Sequence, residues 1–417
     1  MAKSIDYIHT TVSSEVSTTT STGYVEVVES AALTPGKTYH IICHALCEGS
    51  HSGSVFLWRL YDRTNDAAVA DSAILREPTA ANETESYFFV GQITAGSEGG
   101  GIEFQQQAAA SRTARTQFVS MLILDLSEMR SSDYFLVNDS TNTSHTTSFV
   151  DRVSTTRNTT AGDEWLIFGW GAVSMDSTSK PTSMTLSYTN GGSTSTSNEI
   201  SFEGEDATEL LSYYVSRSFT IGTSGSTTWK IQSKDNAVAS DPNNYEASTI
   251  LGIRLNAFAD FGTFYNASAV SHSASAFEED ATVSYTPSQT GNNIVAASSV
   301  YVPGAKTYAA FSRLQVGGSS SPNAVPDSQR NGVASDPTDK LPLSTVTTFS
   351  GTRGAASTVD FDSKRSNETT NQDVTDRSLV VFSTELNYDS PTVTGKMRRP
   401  GMFRRGGGRK TSKRMRR

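Results

Sequence analysis

The sequence is poor in the residues that usually announce chemistry. It has two cysteines, Cys43 and Cys47, and six histidines in 417 residues. A disulfide-stapled scaffold is therefore excluded, and i to i+4 on a strand spans ~13 Å, too far for those two thiols to join. The apolar runs are short. Val119 to Leu124, broken by Ser120, is among the longest, against the ~20 residues of a membrane-spanning helix. No apolar stretch follows Lys3, so no secretory signal is expected, and the chain reads as made in a host cytoplasm and soluble, with no membrane partner. Six Asn-x-Ser/Thr sites, Asn82, Asn158 and Asn266 among them, are what so much Ser and Thr yields by chance.

Charge is scarce as well, at 18% of residues, and hydrophobics reach only 36%, each below the usual composition of globular chains. Hydroxyls fill the gap, with 61 Ser and 52 Thr. Aromatics, at 9%, run the whole length, which a disordered chain would not sustain. Thr, Tyr, Phe and Val favour strands. A helical bundle and a long coiled coil are disfavoured.

What charge there is lies unevenly. Lys396, Arg398, Arg399, Arg404, Arg405, Arg409, Lys410, Lys413, Arg414, Arg416 and Arg417 put 11 cations and no carboxylate into residues 396–417. The rest of the chain holds 34 − 11 = 23 basic against 43 acidic residues, or −20. Pro400 and Gly406–Gly408 discourage a helix there. An extended arm that meets an acidic partner, protein or nucleic acid, is expected.

The body repeats itself. Ser4-Ile5-Asp6-Tyr7 matches Ser131-Ser132-Asp133-Tyr134 and, more weakly, Asp260 to Phe264. Gly23-Tyr24-Val25-Glu26 matches Ser148-Phe149-Val150-Asp151 and Ala276-Phe277-Glu278-Glu279. Ile102-Glu103-Phe104 matches Trp229-Lys230-Ile231 and Val359-Asp360-Phe361. Met121 to Leu124 matches Ile250 to Ile253 and Leu379 to Phe382. Gly36, Gly162 and Gly291 each open a strand-like run: TYHIICHALC, EWLIFGWGAV and NIVAASSVYV. Alternation in the first fits one buried face, and the continuous second fits a strand covered on both. Short strands between turns such as NGG at 190–192 indicate a β-sandwich or jelly roll per repeat. The expected fold is all-β: repeats at 1–129, 130–258 and 259–388, then a basic C-terminal arm over 389–417. The joints near Met129 and Ala259 lack Pro/Gly linkers, so the repeats should be closely coupled. Three similar domains in one chain can imitate a trimer, and a linear stack is the competing arrangement.

Candidate sites are few. His40, Cys43, His44, Cys47 and His51 would suit zinc on a helix. On a strand the histidines and cysteines point to opposite faces, and no common centre lies ~2.0–2.3 Å from all of them. Their counterparts align as Leu166, Gly169, Trp170 and Val173, then Val295, Ser298, Ser299 and Val302. GSEGGG at 96–101 lacks a phosphate loop's lysine and helix, and reads as a hairpin turn. Glu203, Glu205 and Asp206, and likewise Glu278, Glu279 and Asp280, read as solvated acidic surface without the spaced ligands of a calcium loop. No nucleophile elbow, Walker loop or zincin motif occurs. No catalytic residue, metal or cofactor is expected.

Tandem hydroxyl-rich β-domains, no signal, no active-site motif, no disulfide and a basic arm together resemble a virion structural protein, most closely one of a tailed bacteriophage. The resemblance is one of class. It implies a non-enzymatic role, capsid decoration or cement first and tail or fibre second, in many copies against other virion proteins and possibly packaged nucleic acid. A glycan-binding adhesin module is the other class that β-sandwiches with exposed aromatics suggest.

Overall fold

The computed structural model describes residues 3–77, 83–144, 146–175, 182–197, 199–202, 209–235, 243–272, 276–302, 308–317, 328–332, 340–365 and 372–388. Strands dominate them. The first part holds β1 (Asp6–Val12), β2 (Val16–Thr18), β3 (Val25–Glu29), β4 (Thr38–Gly49), β5 (Phe56–Asp62), β6 (Ala67–Ala68), β7 (Ile74–Arg76), β8 (Glu83–Thr94), β9 (Ile102–Gln107) and β10 (Ala114–Asp125). The second holds β11 (Tyr134–Asp139), β12 (Thr143–Ser144), β13 (Val150–Thr159), β14 (Glu164–Ser174), β15 (Thr182–Asn190), β16 (Ser193–Thr196), β17 (Ile200–Phe202), β18 (Leu210–Thr220), β19 (Gly225–Asp235) and β20 (Asn244–Arg254). The third holds β21 (Phe261–Asn266), β22 (Val270–His272), β23 (Glu278–Tyr285), β24 (Gly291–Val302), β25 (Tyr308–Val316), β26 (Ser328–Gly332), β27 (Leu341–Gly351), β28 (Ser357–Arg365) and β29 (Gln372–Ser383).

The pairing repeats three times. One sheet runs β1-β10-β4-β8, then β11-β20-β14-β18, then β21-β29-β24-β27. The facing sheet runs β3-β9-β5-β7, then β13-β19-β15-β17, then β23-β28-β25-β26. With the short β2, β6, β12, β16 and β22 set aside, each unit has eight antiparallel strands. They are ordered first-eighth-third-sixth in one sheet and second-seventh-fourth-fifth in the other. That is the jelly roll. The irregularities repeat too. The second strand of each roll carries a bulge at Val27, Arg152 or Asp280, between the paired residues 26/28, 151/153 and 279/281. A bulge is a local, specified device, so its recurrence marks the units as copies of one design.

The third copy of the longest strand corrects the sequence alignment by one residue. Cys43 pairs with Met121, Gly169 with Ile250 and Ala297 with Leu379. The counterparts of His40, Cys43, His44 and Cys47 in the third roll are therefore Ile294, Ala297, Ser298 and Tyr301, because a one-residue slip would turn every side chain to the wrong face. GSEGGG is not a hairpin either. It carries the chain from β8 in one sheet to β9 in the other, packed so that a Cβ on Gly96 would lie 2.2 Å from the Thr64 carbonyl oxygen. The NGG turn does close a hairpin, β15 to β16, with Gly191 and Gly192 at φ +58° and +83°, as a type I′ loop requires.

The rolls close on one another. The sixth strand of each lies across the first sheet of the next. Thus β8 packs on β14, β18 and β20, β18 on β24, β27 and β29, and β27 on β4 and β10. Each contact is head-to-tail, and after three the ring is complete. At the first seam the Trp170 indole donates to the Phe88 carbonyl at 2.8 Å, and the Phe88 and Tyr214 rings stack at 5.1 Å. At the second, the Ser216 amide donates to Ser298 Oγ at 3.4 Å. At the third, Ser120 Oγ donates to the Val346 carbonyl at 2.6 Å. The chain's end seals the ring: Ile5 N donates to Thr384 O, Ala259 N to Glu385 O, and Tyr388 Oη to Asp133.

This arrangement explains EWLIFGWG. Trp165 and Ile167 face the interior of the second roll, while Leu166, Phe168 and Trp170 face the seam with the first. Both sides are buried, so the pattern cannot alternate. Replacing Trp170, which is 2% exposed, by alanine removes its packing on Phe89 and its bond to Phe88. We expect a loss of about 3–5 kcal/mol, read as a lower urea midpoint with unchanged slope. A loss below about 1 kcal/mol would show that the seam does not hold the ring.

Candidate assembly surfaces

His40, Cys43, His44 and Cys47 lie on β4, as the alternation requires. The cysteines turn into the first roll, where burial pushes the Cys43 thiol up. The histidines turn into the seams. His44 stacks on Phe88 at 4.9 Å, and His40 meets Tyr134 of the second roll edge-on at 5.6 Å. A third histidine, His9, bridges Ser120 and Thr348 of the third roll at 3.0 and 3.1 Å. All three sit on the seam side of one sheet, and neither ring nitrogen of His44 has a hydrogen-bond partner among the described residues. Among the described residues, these histidines are not part of any group of three potential ligands whose donor atoms lie within 4.8 Å of one another.

Burial holds these imidazoles neutral, His9 and His40 down to about 4 and His44 to about 3; in His40 it outweighs the opposing pull of the Leu124 carbonyl and Asp125. His272 is the opposite case. It too is buried, but Asp280 at 2.6 Å and Glu278 raise its pKa. Asp280 is thus no solvated acid. It is 2% exposed, sits at the bulge of the third roll, and accepts from Ser363 besides its His272 contact. The 203–206 acidic run lies outside the described residues.

The second sheet of each roll turns its far side to solvent and carries the same motif three times. The aromatic residue just before the bulge lies under a cation. Tyr24 takes Arg59 at 3.7 Å, Phe149 takes Lys234 at 4.6 Å, and Phe277 takes Arg313 at 4.1 Å and Lys364 at 4.4 Å. The carboxylates beside them differ. In the second roll Asp151 is matched by Lys230 at 2.6 Å. Its counterparts Glu26 and Glu279 instead sit among acids. Partial burial, then Glu103 and Glu29, raises Glu26; burial, then Asp360 and Asp362, raises Glu279. The carboxylate oxygens of Glu26, Glu29 and Glu103 lie within 4.8 Å of one another. Arg63 pairs with Glu103 at 3.3 Å and Arg313 with Asp362 at 2.9 Å, which leaves Glu26 and Glu29 on the first face, and Glu279 and Asp360 on the third, as the carboxylates in excess of these pairs.

The arm residues Lys396 to Arg417 lie outside the described residues. The described chain ends at Tyr388, whose hydroxyl accepts from the Arg130 amide and donates to Asp133 at the joint of the first two rolls. Sequence reading placed the aromatic of each motif. It read Glu279 as acidic surface but missed the acidic face of the first roll, because Glu103 on β9 is distant in sequence from Glu26 and Glu29 on β3. It also missed the seam histidines, because a ring of domains has no periodicity signal. Among the described residues, no helix is long and apolar enough to cross a membrane.

No family model and no curated protein matches this chain. Solved structures match only distantly. A triple jelly roll protein of an archaeal virus gives a TM-score of 0.18 at 10% identity, over 89% of this chain and 91% of that one. The infectious bursal disease virus VP2 subviral particle gives 0.23 at 10% identity, over 92% and 81%. An insecticidal delta-endotoxin of Bacillus thuringiensis gives 0.21 at 10% identity, and the match spans 51% of this chain but only 42% of the toxin. Similarity at this level identifies no family.

The neutral histidines predict a pH response. An unfolded histidine protonates near pH 6.5, so between there and about 4 the unfolded chain binds protons that His9, His40 and His44 refuse. Their contribution is full above pH 6.5 and falls as pH drops towards 4. His272 works the other way: its contribution is full below pH 6.5 and is lost as pH rises through its raised pKa. His272 is charged in both states below pH 6.5, so the histidine contribution should fall on acidification over that window, against the raised carboxyls of Glu26 and Glu279, which gain protons in the folded state first. Thermal midpoints from pH 7 to 4.5 check this, and His44→Phe should flatten the curve. An unchanged slope in that variant would remove His44 from the account.

Proposed function

We propose that this chain is a non-enzymatic structural protein of a virus particle, a tailed bacteriophage in the finer reading, acting as capsid decoration or cement. The observation that carries the reading is the closed ring of three jelly rolls. One molecule supplies threefold-like geometry, buries one sheet of each roll in the seams, and leaves three sheet faces outward for neighbours. A closed ring also presents no free roll for end-to-end stacking, which favours a shell site over a fibre. We take the domain boundaries as 129/130 and 258/259, and residues 389–417 as the arm.

The arm and the acidic faces complement each other. A segment of 22 residues reaches up to ~70 Å when extended, enough to cross onto an adjacent molecule. Arginine predominates among its 11 cations and pairs with carboxylates in a two-pronged geometry that lysine lacks. The crowded carboxylates around Glu26 and Glu279 are the partner we assign to it, on a neighbouring copy or another virion protein. The attraction acts at contact range, since the Debye length is ~8 Å at physiological salt. Packaged nucleic acid is the competing partner, opposed by the −20 body.

Deleting 396–417 should leave the thermal midpoint unchanged and abolish salt-sensitive association, measured by sedimentation across a salt titration. Glu26→Gln with Glu279→Gln should weaken association of the full chain in the same way. Equal association by truncated and intact chains at every salt concentration would reduce the arm to a solvated tail. Association that nuclease treatment removes would assign the arm to nucleic acid. Failure of the intact chain to self-associate or to co-sediment with virions would overturn the particle role itself.

A further inference from the structure

Ring closure leaves one side of every sandwich open. The fifth and sixth strands of each roll lie against another roll: β8, β18 and β27 cross the seams, β7 pairs with β18, β17 meets β27, and β26 lies on β8. The first and second strands end their sheets, and among the described residues no strand pairs with their outer sides. Of these six edges β13 is the longest. It has 10 residues, against 8 for β23 and 7 for β1, and six of the 10 stand exposed. Val150 at its start and Phe149 before it are the only large hydrophobics that stand exposed among the described residues.

An open strand edge presents alternate N–H and C=O groups as a template for another strand, and proteins that must not pair there blunt it with proline, lysine, bulges or charge. Past its bulge β13 is not blunted in this way. Val153 to Thr159 reads VSTTRNT, without proline, glycine, lysine or carboxylate. Its valine and three threonines favour a strand. The counterpart edges are acidic. Glu26 and Glu29 on β3, and Glu279 on β23, are carboxylates in excess of the neighbouring ion pairs, whereas Asp151 on β13 is matched by Lys230 at 2.6 Å. Two copies of β3 or of β23 would bring those carboxylates together; two copies of β13 would not.

The edge also selects its mate. Antiparallel pairing of β13 with itself uses every residue from Val153 to Thr159 only when Thr156 sits on the twofold axis. Ser154 then faces Asn158 of the partner subunit, Thr155 faces the partner's Arg157, and Val153 faces the partner's Thr159. No like charges are opposed, whereas moving the axis one residue on would set Arg157 against itself, which is destabilising. The outward face of the second roll already carries Thr194, Thr189, Thr228 and Thr156 in one row across β16, β15, β19 and β13. Hydroxyl bonds join Thr189 to Thr194 at 3.0 Å and Thr156 to Thr228 at 2.8 Å. The twofold continues this row, threonine to threonine, into the second copy. We propose that two copies of this chain join edge to edge through β13, antiparallel about a twofold axis at Thr156, as an isologous dimer. The inference goes beyond the particle role and does not depend on it.

The test is sedimentation of the full chain in about 1 M salt, where a Debye length of ~3 Å suppresses attraction by the arm. A dimer should persist there. Thr156→Cys, at an exposed position, should cross-link that dimer under mild oxidation, because opposed Cα atoms lie ~4.5–5.5 Å apart, within disulfide range. Ser154→Cys should link about tenfold or more slowly, since its two copies would lie ~13 Å apart along the strands. Mixing Ser154→Cys with Asn158→Cys chains should restore the link. The native thiols of Cys43 and Cys47 are buried and add little background. A chain that is monomeric in high salt at every concentration overturns the proposal, whatever the arm does at low salt. So does a dimer that links as fast through Ser154→Cys as through Thr156→Cys, or through neither.

Discussion

The contact on which the rest of the molecule depends is the passage of each roll's sixth strand across the first sheet of the next. A jelly roll on its own buries the inside of its two sheets and leaves both outsides wet. Here the seam covers one outside face in every roll, so β4, β14 and β24 are buried on both sides. Burial of apolar area yields roughly 25 cal/mol per Å², and the seam lets a chain with 36% hydrophobic residues use its Leu, Phe and Trp on two faces of one strand. Head-to-tail contacts would propagate into a filament if the rotation did not close. The hydrogen bonds of Thr384, Glu385 and Tyr388 to the start and joints of the chain tie it closed.

The abundant hydroxyls are consistent with this construction. Many lie inside and pair there, although the buried hydroxyls of Ser248, Ser299, Thr345 and Ser378 have no partner among the described residues. Asn190 donates to Thr227 Oγ1, which meets Thr159; Asn243 donates to Thr182, which donates to Asp235; Thr185 bonds the Ser197 carbonyl. Small hydroxyls satisfy their own bonds in a sandwich without the desolvation cost of a buried charge. Charge can then be sparse and still be concentrated, in residues 396–417 and in the carboxylate clusters of two outward faces.

The rolls are copies of one design but not equal. The bulge residue is valine in the first, arginine in the second and aspartate in the third, and each meets different neighbours: apolar side chains, the hydroxyls of Ser233 and Thr143, and His272. The strand position beside the seam is His44, Trp170 or Ser298, so each seam bonds by different chemistry. A single chain allows this. A homotrimer would have to repeat one residue at all three places.

Strand content, triplication and the basic arm were legible in the sequence because they rest on composition and on short patterns such as Trp229-Lys230-Ile231, whose matches pair at equivalent positions in the sheets. The placement of Cys43 and His44 on opposite faces followed from strand geometry alone. Tertiary structure decided the rest. Whether three rolls form a stack or a ring depends on contacts between residues such as Phe88 and Tyr214, 126 positions apart, which leave no local trace. Strand order made GSEGGG a crossing between sheets, and pairing moved the third copy of the long strand by one residue. The side chain of Asp280 reads as surface among three acids, and became core because a bulge turns it inward onto His272.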